Sequence, residues 1–489
     1  MVWTAFKPNK ERSQRKKYPE DTQFKDNSWF YGVEGAGYSG DVRKLTLQED
    51  GEAVPYLQGL EKDNSFIVFD IYIEEEGMYD LNFHTYGVGG EKTNYLLVDD
   101  EEIAEIYSEP DVFSDSIARY VYLEKGRHSV KIEKFWGYIA VKGLEVMKTK
   151  PISQSTYNVD VQLVNPNATT EAKRLMQFLA DNYGENIISG QTANDGHLSK
   201  EFQAISRETG GKTPAILSLD FIDESASRRD RLSPPDVLKH AETFHDMGGI
   251  VTFMWHWNAP DKYLYDSPGH PWWSGFYTEH TFIDLGKIMS GEDPEGYDLL
   301  VKEMDEIAVQ LKDLQKQNIP ILWRPLHEAS GGWFWWGDSG SEPFVQLWKL
   351  MYDRYVNVHK LDNLIWVWNG QAKEWYPGDD YVDIIGEDIY PGKQVYGSQA
   401  DRFAQAMDYT QAKKIIAYTE NGVIPDPDLM IRDNIMWSYF TTWNGEFVIN
   451  GLGRYSEEYT EKDMLQKVYS HKRVLTLDDL PDLSTYPLK

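Results

Sequence analysis

From about residue 159 the chain repeats one alternation: a short run that is apolar almost throughout, then a helical or loop segment. The runs are NIISGQT (186–192), TPAILSLDFI (213–222), GIVTFMWHW (249–257), PILWRPLHE (320–328), NLIWVWNG (363–370), VDIIGEDIY (382–390), KKIIAYTENG (413–422) and MWSYFTTWNG (436–445). They lack the two-residue alternation of a half-exposed strand, so they belong to a parallel sheet covered on both faces. Between two of them, DLLVKEMDEIAVQLKDLQ (298–315) sets Leu300, Met304, Ile307, Leu311 and Leu314 three and four apart, which is one face of a helix. Eight such units over roughly 300 residues is the size of a (β/α)8 barrel. The competing architecture, an open doubly wound sheet, carries a glycine-rich phosphate-binding turn after its first strand, and SGQTANDGH has none.

The preceding segment has a different period. Between 24 and 148, SFIVFDIYI (65–73), MYDLNFHTY (78–86), TNYLLVDD (93–100), ARYVYLEKG (118–126) and HSVKIEKF (128–135) alternate apolar and polar residues. Turn signals such as Glu76-Gly77, Gly89-Gly90 and Lys125-Gly126 separate them, a pattern that predicts a β-sandwich of many short strands. Residues 1–23 are basic and patternless and read as an extension; 149–158, within KTKPISQSTYN, read as a linker. The expected fold class is α/β: a (β/α)8 TIM barrel over 159–489 preceded by a β-sandwich (jelly-roll) module over 24–148.

Composition narrows the function. A net charge of −30 repels nucleic acid and anionic membranes, so neither is an expected partner. No apolar run reaches the roughly 18 residues of a membrane span. The absence of cysteine excludes disulfides, thiol catalysis and thiolate metal sites, and the 11 His show no paired ligand spacing, so no metal is expected in the barrel. The first residues lack the apolar centre of a signal peptide; a secreted, extracellular protein whose leader is not part of this chain fits the acidic, cysteine-free composition. The 17 Trp and 31 Tyr exceed what a core alone asks for. Such rings supply flat apolar platforms with a polar edge, which suit the C–H face of a sugar.

In a barrel the active site forms at the C-terminal strand ends. Polar residues collect there on five of the runs: Trp255, His256 and Trp257; Arg324, His327 and Glu328; Glu387, Asp388 and Tyr390; Thr419, Glu420 and Asn421; Trp443 and Asn444. Glu328 and Glu420 stand about three βα units apart, on the fourth and seventh strands, facing one another across the mouth. Two carboxylates over an aromatic-lined cleft are what glycosidic bond cleavage requires, one delivering a proton and one attacking the anomeric carbon.

WRPLHE with the run GGWFWWG behind it, GEDIY, and AYTENG, in this order over 159–470, resemble glycoside hydrolase family 26, best known for endo-β-1,4-mannanases. The resemblance implies a retaining hydrolase with Glu328 as acid/base and Glu420 as nucleophile. It implies that His327 contacts sugar and catalytic groups, that Arg324 organises the site, and that Tyr390 hydrogen-bonds the nucleophile. His256 and Trp443 would surround the sugar before the cleaved bond, and Trp333 is the expected exposed ring of its run; Asp388 joins this substrate-binding set. The expected substrate is β-mannan or a related plant wall polysaccharide and the expected state a monomer. The alternatives are a β-glucanase (lichenase) or β-1,3-xylanase of the same family, and a non-catalytic carbohydrate-binding protein.

YGVEGAGYSG, YLQGL, GVGGEKTNYLLVDD and FWGY, within 24–148, resemble carbohydrate-binding module family 35, with Trp136, Asn94 and Tyr38 as ligand-contact candidates. The resemblance leaves calcium as a candidate cofactor of the module near Glu34. Against it stands Lys142 in AVKGLEV, where a second acid is expected. No cofactor is expected for catalysis.

Overall fold

The computed structural model describes Pro19, Thr22–Lys25 and residues 28–489 except 234, 235 and 266. Two compact units divide the chain, the second beginning at Gln154.

In the first unit two antiparallel sheets stack face to face. One is ordered Thr22–Lys25, Ser28–Gly32, Ile139–Lys148, Glu52–Gly59, Arg43–Glu49, with Gly77–Gly87 pairing both Ile139–Lys148 and Ser114–Leu123; the other is Gly37–Ser39, Phe66–Ile73, Gly126–Glu133, Lys92–Val98, Glu101–Ser108. Alternate residues of both sheets meet in one core, Leu57, Leu81, Phe83, Val141 and Val146 facing Ile67, Phe69, Leu96, Val130 and Ile132. This is the predicted sandwich, its inward residues two apart along the strands except where a bulge sets Val141 and Leu144 three apart. Most of the expected 1–23 extension lies outside the described residues. Thr22 and Gln23, however, already pair with Tyr31 and Phe30, so the module's first strand reaches into that stretch.

In the second unit eight parallel strands close into a barrel: Gly190–Thr192, Ile216–Asp220, Ile250–Trp255, Ile321–Pro325, Leu364–Trp368, Ile384–Ile389, Ile415–Asn421 and Phe440–Thr442. Each falls inside one of the eight apolar runs, because a strand buried on both faces has no polar face to show. The first run differs in one respect. It breaks at Ser189, Ile187–Ile188 pairing with Val474–Leu475 outside the barrel while Gly190–Thr192 enters it. A Cβ on Gly190 would come within 2.5 Å of Phe440 O, so only glycine lets the first strand close on the eighth. Gln154–Tyr157, expected as linker, instead form a turn packed on this unit: Tyr157 is buried, donates to Asn434 O and accepts from Met436 N at 3.0 Å. No helix among the described residues is long and apolar enough to cross a membrane.

The predicted helix runs Pro294–Lys316, capped by Asp293, which accepts from Gly296 N at 3.0 Å. Its five expected apolar residues are all buried, and Glu303 is buried with them. Glu303 accepts a 2.6 Å bond from Trp257 Nε1 behind the third strand, and burial pushes its carboxyl up from 4.5 to about 8. The native state therefore keeps a proton that the unfolded chain releases. Stability is full below the unfolded value and drains between pH 4.5 and about 8, at up to about 1.4 kcal/mol per pH unit. Glu303→Gln keeps an acceptor for Trp257 and removes the titration. Calorimetry is expected to show the variant and its parent melting together near the unfolded pKa, and the variant melting higher as pH approaches 8. A difference that does not change with pH would contradict this.

Candidate active site

The fourth strand ends at Pro325, and the next residues turn sharply: Leu326 has φ 52° and Glu328 φ 54°, ψ 30°. A non-glycine residue in the left-handed region is held at a cost of about 1–3 kcal/mol. Arg324 lies on the strand before this turn, and the turn itself carries Glu328 and the buried His327. Arg324 is buried and forked, with Nη1 2.5 Å from Asp388 Oδ2 and Nη2 2.7 Å from Glu420 Oε2. Glu420, at the end of the seventh strand, is buried too, and its other oxygen accepts from the Tyr390 hydroxyl. Each oxygen of this carboxyl is thus held by one fixed donor.

Glu328 is treated differently. Its only side-chain hydrogen bond among the described residues comes from Trp333 Nε1, 3.0 Å from Oε2. Burial, then the negative charges of Asp388 and Glu420, raise its pKa well above the usual carboxylate range, and Arg324 opposes this only in part. Carboxyl oxygens of Glu328, Asp388 and Glu420 lie within 4.8 Å of one another. A trio of that kind resembles a cation site, but the Arg324 guanidinium already supplies the positive charge between two of them.

His256 and His327 meet at Nε2···Nε2 3.2 Å, and His256 Nδ1 lies 2.6 Å from Asp220 Oδ2. Burial and the neighbouring Arg324 and His256 hold His327 well below the ordinary imidazole value, so it is neutral. Both ring nitrogens of His256 are thereby engaged. His327 Nδ1 has no partner among the described residues. Trp443 is half-buried, its ring 5.8 Å from that of His256, and Trp333 is 48% exposed, while Phe334, Trp335 and Trp336 are buried beneath the rim.

The nine expected barrel residues converge on one mouth, with one correction. Asp388 was expected to touch substrate, yet its carboxylate is fully enclosed, with Arg324 on one oxygen and the Thr419 hydroxyl 2.7 Å from the other. It props the arginine. Sequence reasoning passed over Asp220, which orients His256, and Asn369, whose Oδ1 accepts from Glu328 N at 3.0 Å. Both are polar residues at strand ends, on the second and fifth strands.

In the module, Trp136 is 72% exposed, and beside it Phe135 stacks on Tyr95 with centroids 4.5 Å apart. Tyr38 is exposed on the short strand Gly37–Ser39. Asn94 is a correction: it is 0% exposed, its amide donating to Gly137 O at 2.9 Å and accepting from Phe135 N at 3.1 Å. It braces the loop that presents Trp136. Near the calcium candidate, Glu34 is paired with Lys44, and Lys142 with Glu49 at 2.8 Å. Lysines in these places do not fit a divalent cation.

A model of glycosyl hydrolase family 26 matches residues 164–479, and one of the family 35 carbohydrate-binding module matches residues 30–149. The chain is similar to the mannan endo-1,4-β-mannosidase of Thermothelomyces thermophilus, 37% identical over 92% of this chain and 90% of the relative. It is similar in structure to the Podospora anserina GH26-CBM35 β-(1,4)-mannanase, with TM-score 0.66 and 35% identity over 94% of this chain and 100% of that one. The β-mannanase of a symbiotic protist of the termite Reticulitermes speratus, solved with a gluco-manno-oligosaccharide, matches with TM-score 0.57 and 31% identity over 66% of this chain and 98% of that one. With two facing glutamates in a closed barrel and matches over nearly its whole length, the chain belongs to glycosyl hydrolase family 26 and carries a family 35 carbohydrate-binding module ahead of its catalytic domain.

Proposed function

We infer that this protein is a retaining endo-β-1,4-mannanase that cleaves mannan-type polysaccharides by double displacement. The observation that carries the mechanism is the approach of Glu328 and Glu420 oxygens to within 4.8 Å. Retaining enzymes hold their carboxyls about 5–5.5 Å apart, while inverting ones leave about 6.5–9.5 Å for a water between them. Glu420, fixed by Arg324 and Tyr390, attacks the anomeric carbon. Glu328, kept protonated by its surroundings, gives its proton to the departing oxygen and then draws one from the incoming water. Trp443 lies where it can follow the flattening sugar, and Trp333 places an indole beside the acid. His256, held by Asp220 and His327, presents its ring beside Trp443.

The names of the relatives favour mannan over the other family substrates, lichenan and β-1,3-xylan. Reducing-sugar release from mannan, glucomannan, lichenan and β-1,3-xylan tests this. Release from mannan and glucomannan is expected, with β-configured products appearing first by proton NMR. Release only from lichenan or xylan would reassign the substrate, and release from none would leave a sugar-binding protein. One chain carries the whole site, so the working unit is read as a monomer. An insoluble wall polymer as substrate places the enzyme outside the cell. No cofactor enters the chemistry.

The module raises the local concentration of enzyme on the polymer and adds no chemistry. Trp136→Ala is expected to weaken hydrolysis of insoluble mannan several-fold, since an exposed ring stacked on sugar contributes about 1–3 kcal/mol. The rate on soluble manno-oligosaccharides should not move. Equal loss on both substrates would show that Trp136 matters to the fold instead.

A further inference from the structure

Glu328 sits in a left-handed turn, so something must hold its backbone where the proton is to be delivered. Its N–H is held from one residue, by Asn369 O at 2.7 Å and by Asn369 Oδ1 at 3.0 Å. Asn369 is buried, and its Nδ2 is 3.0 Å from Thr419 Oγ1. Thr419 Oγ1 in turn lies 2.7 Å from Asp388 Oδ1, with Glu387 O farther away at 3.2 Å.

The directions of these bonds are not free. A backbone N–H only donates, so the amide oxygen of Asn369 faces Glu328 and its NH2 faces Thr419. The threonine hydroxyl then accepts, and its one proton goes to the shorter contact, Asp388 Oδ1. Arg324 occupies Oδ2 of the same carboxylate and reaches on to Glu420. One oriented chain thus runs from the backbone of Glu328, through Asn369, Thr419, Asp388 and Arg324, to Glu420.

The backbone is shaped for this chain. Strands six and seven slip register at Thr419, Glu387 pairing with Tyr418 and Asp388 with Glu420, so Thr419 is the extra residue of a bulge. Bulges re-aim side chains in this way. The re-aimed side chain lies over Gly386, where an added Cβ would meet Thr419 Oγ1 at 2.6 Å and Cγ2 at 2.7 Å. The glycine of GEDIY leaves room for the threonine of AYTENG.

We propose that Asn369 is a positioning residue for Glu328, with its amide oriented by Thr419 seated over Gly386. The proposal rests on reading Glu328 as the acid/base. It acts through Glu328 and touches no substrate, so its effect should follow the need for acid catalysis. An unactivated manno-oligosaccharide needs its leaving oxygen protonated; a dinitrophenyl β-mannobioside does not.

The test compares kcat/KM on these two substrates for the full chain and for Asn369→Ala, Asn369→Leu, Thr419→Val, Thr419→Ser and Glu328→Ala, with thermal melting as a check on folding. Both Asn369 variants are expected to lose about 10- to 100-fold on the oligosaccharide and less than about threefold on the activated substrate, a misplaced acid being worth up to about 100-fold. Asn369→Leu keeps the branching and the number of side-chain heavy atoms without the polar groups and leaves no cavity, so a cavity is not the cause if it behaves as Asn369→Ala does. Thr419→Val should show the same selective loss above a smaller one on both substrates, because Asp388 also loses a donor; Thr419→Ser should restore both rates. Folded Asn369 variants that lose equally on the two substrates, or on neither, overturn the proposal. Should Glu328→Ala itself lose equally on both, the acid/base reading falls first, and that result is separate from a failure of Asn369 alone.

Discussion

Glu420→Ala is expected to lower kcat on manno-oligosaccharides by about 10,000-fold or more, the scale seen when a covalent nucleophile is removed. The structure makes this a clean deletion. Arg324 keeps Asp388 at 2.5 Å when Glu420 is gone, so the buried guanidinium is not left without a counter-charge. Binding of oligosaccharide should persist, because the rings of Trp333 and Trp443 stand on other strands. The shortened side chain leaves a cavity below the anomeric carbon that a small anion can enter. Azide should therefore restore turnover of a dinitrophenyl β-mannobioside and yield the α-glycosyl azide, which NMR identifies. A variant within tenfold of its parent, or azide products of β configuration, would remove Glu420 from the nucleophile's role.

The barrel was legible because its strands are buried on both faces and the first βα turn lacks the glycine-rich sequence of the competing doubly wound sheet. All eight apolar runs hold a barrel strand, and only the break at Ser189 was hidden, since Ile187–Ile188 and Gly190–Thr192 are equally apolar. The two glutamates were legible because they end apolar runs beside other polar residues. What the sequence does not display is the direction in which a buried polar side chain points. Asp388 follows Glu387 in GEDIY and looked ready to meet sugar, yet its two oxygens are taken up by Arg324 and the Thr419 hydroxyl. Asn94 sits in an alternating strand whose period does not say which of its faces carries the ligand; its amide turns inward to hold the Trp136 loop. Tyr157 looked like linker because one aromatic among Ser, Thr and Gln has no period, and its burial depends on a partner at Asn434. Asn369 was invisible for another reason. In VWNG the Asn-Gly pair reads as a turn, and nothing local indicates that its amide reaches a residue on the neighbouring strand.

Glu328→Ala should show a loss that depends on the leaving group. On manno-oligosaccharides kcat/KM is expected to fall by about 100- to 10,000-fold, the usual worth of general acid catalysis. On a dinitrophenyl β-mannobioside, whose leaving group departs as a stable anion, it should change little, and a burst should appear because the second step has lost its base. Azide should relieve that second step and give the β-glycosyl azide, opposite in configuration to the product expected from Glu420→Ala. The pH profile carries a further sign. In the parent the acid must be protonated, and burial with the charges of Asp388 and Glu420 raises its pKa well above the usual carboxylate range. Activity therefore extends upward in pH and fails on the alkaline side as Glu328 ionises. That alkaline limb should be absent from the variant's residual kcat/KM on manno-oligosaccharides, the substrates that need the proton. An alkaline limb unchanged in Glu328→Ala would mean that a different group supplies the proton, and the pairing of roles between the fourth and seventh strands would have to be redrawn.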